Sequence, residues 1–168
     1  GSDSLVERNE VYNNRNYGIH VYSTTLNAAN RNIVRYNEVR NNGTAGTYSN
    51  GIIISSGADN IAHNNLVYGN RGGISVGAIG SPTTNNAVYN NTVYNNGTEA
   101  FGITIDATST GALVKNNAVW SNPTDSIDNS GSGTVCTNNL ATSPPAACTS
   151  GVTTDPLFVD AAANNFNL

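Results

Sequence analysis

The sequence predicts a parallel β-helix, a stack of coils each made of short strands, and three observations carry that expectation. The first is a phrase that returns along nearly the whole chain, clearest at Ala87-Val88-Tyr89-Asn90-Asn91-Thr92-Val93-Tyr94-Asn95-Asn96-Gly97, with worn copies starting at Val6, Val34, Ala62, Val114 and Cys136. Anchored on Asn9, Asn37, Asn65, Asn91, Asn117 and Asn139, the steps are 28, 28, 26, 26 and 22 residues. A period in the twenties belongs to a solenoid, and a repeat this short cannot bury a core without stacking on its neighbours. The second observation is the alternation of apolar and polar residues on either side of each anchor, which is strand periodicity. The third is another short apolar segment once per repeat: Gly18-Ile19-His20-Val21, Gly51-Ile52-Ile53-Ile54, Gly73-Ile74-Ser75-Val76, Gly102-Ile103-Thr104-Ile105 and a weak Ser126-Ile127-Asp128.

Each coil therefore holds three strands: the Gly-Ile segment, the segment before the anchor and the segment after it. Asparagine suits the bend because it tolerates a left-handed backbone better than any residue except glycine. Stacked coils bring the anchors Asn9, Asn37, Asn65, Asn91, Asn117 and Asn139 into line, so an inward amide can bond the turns above and below, each bond contributing ~1 kcal/mol net. Disordered Asn-rich sequence would not hold Val, Ile and Leu at fixed offsets from these residues.

Taken in order, Gly1-Ser2 reads as an expression scar, and residues 3–168 as one domain of five to six coils of 22–28 residues. Residues 5–14 are already mid-repeat with no plug ahead of them, so the domain reads as truncated at both ends, and an uncapped end would allow end-to-end self-association. Polar loops are expected at 23–32, 43–50 and 77–84, where insertions vary while the strands keep phase. The sequons at Asn42, Asn90 and Asn96 are what chance supplies in so Asn-rich a chain. After Asn122-Pro123 the pattern weakens. Cys136 occupies a position that is apolar in the other copies, and two readings of Cys136 and Cys148 stand. A disulfide would stabilise by up to ~3 kcal/mol and imply an oxidising compartment; the other reading is two buried thiols. The bridge is favoured.

Composition excludes some partners. Net charge is -4 and charged residues are only 11% of the chain, whereas nucleic acid and anionic membranes both require a basic face. No segment approaches the ~20 apolar residues of a membrane span.

The tail is more specific. Thr154-Asp155-Pro156-Leu157-Phe158-Val159-Asp160, followed by Asn164-Asn165-Phe166-Asn167-Leu168, resembles the closing segment of secreted right-handed parallel β-helix proteins of the pectate-lyase-like superfamily, in which an Asp-Pro-Leu-Phe-Val-Asp phrase precedes a Phe-x-Leu strand. The resemblance implies a right-handed coil, a secreted or cell-surface location, and a polysaccharide or oligosaccharide as partner. It implies lyase, epimerase or hydrolase chemistry, against the alternative of a non-catalytic glycan-binding, adhesin-like or fibre module. Lyases of this type take a proton beside a uronate carboxyl with Lys or Arg as base, and Ca²⁺ or another cation neutralises the acid. No cofactor is evident in these residues themselves, and Ca²⁺ enters only through the resemblance.

Mapped onto the three strands, outward side chains fall in columns with neighbours about 4.8 Å apart. Before the anchor the column is Glu7, Arg35, His63, Tyr89, Lys115, Thr137. Its Arg35, His63 and Lys115 are the candidate catalytic residues, because cations can hold a uronate while one group takes the proton. After the anchor it is Tyr12, Arg40, Tyr68, Tyr94, Trp120; here Tyr68, Tyr94, Trp120 and Arg40 are the candidate substrate-binding residues, aromatic planes being suited to sugar faces. The Gly-Ile strand offers His20, Tyr22, Asp106 and Asp128, scattered over too many coils to act together. No metal-ligand set is apparent.

Overall fold

A computed structural model describes residues 1–25, 28–44, 49–77, 81–97, 101–123 and 126–167. The loops expected at 23–32, 43–50 and 77–84 fall partly outside the described residues, as does Leu168. Among the described residues the chain is a parallel β-solenoid of about five turns. Sheet A stacks Leu5–Glu7, Ile33–Arg35, Ile61–His63, Ala87–Tyr89, Leu113–Lys115, Val135–Thr137 and Cys148–Thr149. Sheet B stacks Glu10–Tyr12, Glu38–Arg40, Leu66–Tyr68, Thr92–Tyr94, Ala118–Trp120 and Leu140–Ala141. Sheet C stacks Ile19–Val21, Ile52–Ile54, Ile74–Val76, Ile103–Ile105 and Ile127–Asn129. These are the three strands per coil that the periodicity predicts.

A fourth sheet, D, was not legible in that periodicity. Its strands Gly57–Ala58, Thr83–Thr84 and Ser109–Thr110 are two residues long and carry no apolar alternation. They are held by backbone pairing and by a Thr83-to-Ser109 hydroxyl bond of 2.8 Å.

The core is a narrow three-sided column. Sheet A contributes Val34, Ala62, Val88, Val114 and Cys136, sheet B Val39, Val67, Val93, Val119 and Ala141, and sheet C the inward isoleucines and valines; all are buried. Each is the second residue of its strand in A and B, and the first or third in C, which is why a period of two recovers them.

The corners between the sheets repeat one device three times. A residue in the left-handed region, φ between 47° and 67°, is followed by an inward side chain. Between A and B the left-handed residues are Arg8, Tyr36, Asn64, Asn90, Asn116 and Asn138. The expectation that the anchors themselves take this conformation is therefore corrected by one residue. The anchors turn inward with an ordinary backbone, and their neighbours make the bend. This division of labour explains the Asn-Asn doublets, one amide chosen for φ and the next for its hydrogen bonds.

Those bonds form the expected ladder. Each anchor Nδ2 donates to the Oδ1 of the next, at 2.9 to 3.0 Å from Asn9 through Asn139. Each Oδ1 also accepts the backbone N–H of the preceding anchor. Two further ladders exist. Asn14, Asn42, Asn70, Asn96 and Asn122 line the corner between B and C, and Asn32, Asn60 and Asn86 line the corner ahead of A.

The third ladder stops at Ala112, which lies above Asn86, and the next position, Thr134, keeps a buried Oγ1 with no hydrogen-bond partner. Ala112→Asn should extend the ladder to Thr134 and stabilise by about 1 kcal/mol, raising Tm by roughly 2–4 °C. A lowered Tm would show that the site cannot hold the amide.

Cys136 and Cys148 are bridged. The bond joins neighbouring strands of sheet A at the last coil, where Cys136 continues the inward column. Among the described residues the tail forms no strand at Phe166-Asn167, where the family ending implies one that would run on to Leu168, outside the described residues. It makes one 3-10 turn, Ala161–Ala163, capped by Asp160, and an isolated antiparallel bridge from Asp160 to Asn165.

Candidate functional site

Parallel register places the outward residues of sheet A in the predicted order: Glu7, Arg35, His63, Tyr89, Lys115 and Thr137 are successive partners. All six are partly buried, so their stems pack on one another while their ends reach solvent. The row is built by stacking. His63 lies over Tyr89 with ring centroids 5.0 Å apart and planes 18° from parallel. Lys115 Nζ sits 5.6 Å from the Tyr89 centroid on the other side, and the Arg35 guanidinium lies 5.6 Å from the centroid of Tyr36, whose edge meets His63. Cations placed over aromatic faces in this way gain ~0.5–1 kcal/mol each at exposed sites. Arg35 Nε also donates to Glu7 at 2.7 Å, which holds the Glu7 carboxyl below its usual range.

His63 is the chemically distinctive member of the row. Partial burial, and secondarily the Arg35 charge, push its pKa below the ordinary imidazole value, against a hydrogen bond donated by the ring to the Asn64 side chain, which acts in the opposite sense. At neutral pH the ring is therefore uncharged and able to accept a proton, with a cation one rung away on one side and a phenol on the other. Arg35, His63 and Lys115 do share one face, but they are not adjacent. Tyr89 stands between His63 and Lys115 and is the residue that sequence reasoning placed in the column without giving it a role.

On sheet B the register is again as predicted: Tyr12, Arg40, Tyr68, Tyr94, Trp120. The surroundings differ from those of an open platform. Phe166 packs on Tyr68 and Tyr94 at 5.2 Å, and Phe158 meets Tyr94 edge-on at 5.9 Å. The chain's own tail thus takes the ring faces at the centre of the column, and Tyr68 is only 8% exposed. Its hydroxyl donates to Glu38 at 2.6 Å, and burial followed by that bond pushes its pKa up to about 12. Arg40 is held by Glu38 and Glu10 and lies 4.2 Å from the Tyr12 centroid. Trp120, at the far end of the column, is partly buried.

Sheet C gives no continuous row. His20 meets Ser55 Oγ at 2.6 Å between Tyr17 and Tyr22, but Ser55, Ile53 and Ser75 are buried. The Asp106 carboxylate accepts from the N–H and hydroxyl of Thr108, which commits it to a turn. Among the described residues no group of three or more His, Cys, Asp or Glu side chains is placed to hold a metal ion. The described residues therefore do not offer the ligand set that the Ca²⁺ implied by the family resemblance would need.

The fold and this outward row define a β-solenoid domain that presents a ladder of side chains on its flank. A family model described as the right-handed beta helix region matches residues 1–141, and the chain belongs to that family. No curated protein and no solved structure matches.

Proposed function

We propose that this domain acts outside the cell on an acidic polysaccharide, which lies along the sheet A row, and that the chemistry is β-elimination or epimerisation beside a uronate carboxyl. The observation that carries this reading is the order Arg35, His63, Tyr89, Lys115 on four consecutive rungs. Arg35 would neutralise the carboxylate and lower the acidity barrier at the neighbouring carbon. Neutral His63 would remove the proton from that carbon. In elimination the electron pair left behind forms a carbon–carbon double bond, the glycosidic C–O bond breaks, and the departing oxygen takes a proton from the Tyr89 hydroxyl. In epimerisation the carbon instead takes a proton from water on the face turned away from the sheet, while His63 keeps the proton it removed and later loses it to solvent. Lys115, two rungs beyond His63, would hold the next carboxylate of the chain. The disulfide is compatible with an extracellular setting.

The test is absorbance of unsaturated uronate product from polygalacturonate and polymannuronate. His63→Ala should lower turnover by about 10²–10³-fold and Lys115→Ala should mainly raise KM. Because the His63 pKa is depressed, the ring stays unprotonated below the ordinary value of about 6.5. The acid limb of the pH profile should accordingly lie below 6.5 and vanish in the residual activity of His63→Ala. Binding to the same glycans without any turnover, lost on Arg35→Ala, would support a non-catalytic glycan-binding module instead. That second reading is favoured by the way each cation of the row rests on a tyrosine, as in a binding strip.

A further inference from the structure

Folded across sheet B, the tail leaves a cleft of about 430 Å³ between itself and the A–B corner. Its walls come from both sides. Asn64 and Asn90, the left-handed corner residues, face Asn165, Phe166 and Asn167 of the tail, with Thr92 between them. None of the lining side chains carries a charge. The volume lies within the ~300–1,000 Å³ of small-molecule sites.

We propose that this cleft is a subsite for an uncharged sugar residue adjoining the uronate on sheet A. The proposal rests on the reading of sheet A given above and deepens it. Amides both donate and accept, as sugar hydroxyl and acetamido groups do, so a wall of asparagines on each side can match an uncharged sugar without a net field. Phe166 supplies an apolar face for the ring. It is preorganised, being wedged against Tyr68, Tyr94 and Phe158, the last at 5.4 Å. The cleft also touches the charged row directly: Asn64 and Asn90 follow His63 and Tyr89 in the chain, and the Asn64 side chain bonds the His63 ring. A glycan crossing the corner would set a carboxylated residue on the row and its uncharged neighbour in the cleft. The substrate class this defines is a polysaccharide in which uronate and uncharged residues adjoin.

Three probes separate the two readings: hexagalacturonate, which is acidic throughout; chitotetraose, which is uncharged; and a hyaluronan hexasaccharide, in which the two kinds alternate. Titration followed by backbone amide shifts gives both affinity and location. The wild type should bind the alternating probe about tenfold more tightly than hexagalacturonate, with shifts at Asn64, Asn90 and Phe166. Asn90→Gly keeps the left-handed bend while deleting the amide, and should remove most of that preference while leaving hexagalacturonate affinity within about twofold. Phe166→Ala should do the same. Equal affinity for the two acidic probes, or equal losses for both in Asn90→Gly, would overturn the cleft subsite and leave the row intact. Chitotetraose binding at Asn90 without binding of either acidic probe would uphold the cleft as a sugar site, refute its coupling to a uronate, and refute the row.

Discussion

Asn91→Ala is expected to lower stability by about 3 kcal/mol or more, which for a chain of this size means a Tm roughly 6–12 °C lower. The side chain is 1% exposed and makes five hydrogen bonds. Its Nδ2 donates to Ala62 O, Tyr89 O and Asn117 Oδ1, and its Oδ1 accepts from the backbone and side-chain amides of Asn65. Alanine would leave the donors of Asn65 and the Ala62 carbonyl facing an apolar interior with no water to replace the lost partner, and each orphaned group costs about 1–3 kcal/mol. The neighbouring Asn90 makes the contrast. It is exposed and serves mainly by its φ of 55°, so Asn90→Gly should change stability by only a few tenths of a kcal/mol. Thermal or denaturant unfolding of the two variants side by side checks this, and similar losses in both would contradict the division between bend-forming and bonding amides.

Gly73→Ala should be comparably damaging, by about 3 kcal/mol, for a steric reason rather than a polar one. The glycines that open the sheet C strands stack one above another, and a Cβ on Gly73 would sit 2.0 Å from the Gly102 carbonyl oxygen and 2.7 Å from Val93 Cγ1. The first contact is backbone held by the next coil, so relief requires the coils to separate locally and stretch the pairing of sheet C. Gly51 and Gly102 meet the same kind of obstacle, a valine methyl and a ladder asparagine. In the fifth coil the position is Ser126, whose hydroxyl accepts from Thr142 N; the sixth coil has no sheet C strand among the described residues to lie against it. Gly102→Ser should therefore fail where Ser126 succeeds, and a well-tolerated Gly73→Ala would mean that the spacing at this corner is looser than described.

Much of this was open to reading in the sequence, because a parallel stack translates period directly into place. Once Asn37, Asn65 and Asn91 are aligned, the column from Glu7 to Thr137 and the column from Tyr12 to Trp120 follow with no further information, and both registers are found as expected. What failed to show had physical causes. The second and third ladders share the same spacing as the first, so Asn42 and Asn60 were absorbed into one phrase instead of being recognised as separate corners. The left-handed residue and the bonding residue are both asparagine at Asn64-Asn65 and Asn90-Asn91, which hides their different roles. Arg8 and Tyr36, where the first of each pair is not asparagine, were the signal that would have separated them. The tail's position over Tyr68 and Tyr94 depends on contacts between residues about sixty to one hundred apart, made by Phe158 and Phe166, and no repeat encodes those.

The claim on which the columns and the proposed row depend is that the anchor amides are aligned and bonded along the axis. Hydrogen exchange of the asparagine side-chain NH₂ groups, followed by NMR, tests this most directly. The account predicts slow exchange at Asn37, Asn65, Asn91 and Asn117, and fast exchange at the exposed Asn90. Exchange at the anchors as fast as at Asn90 would contradict it.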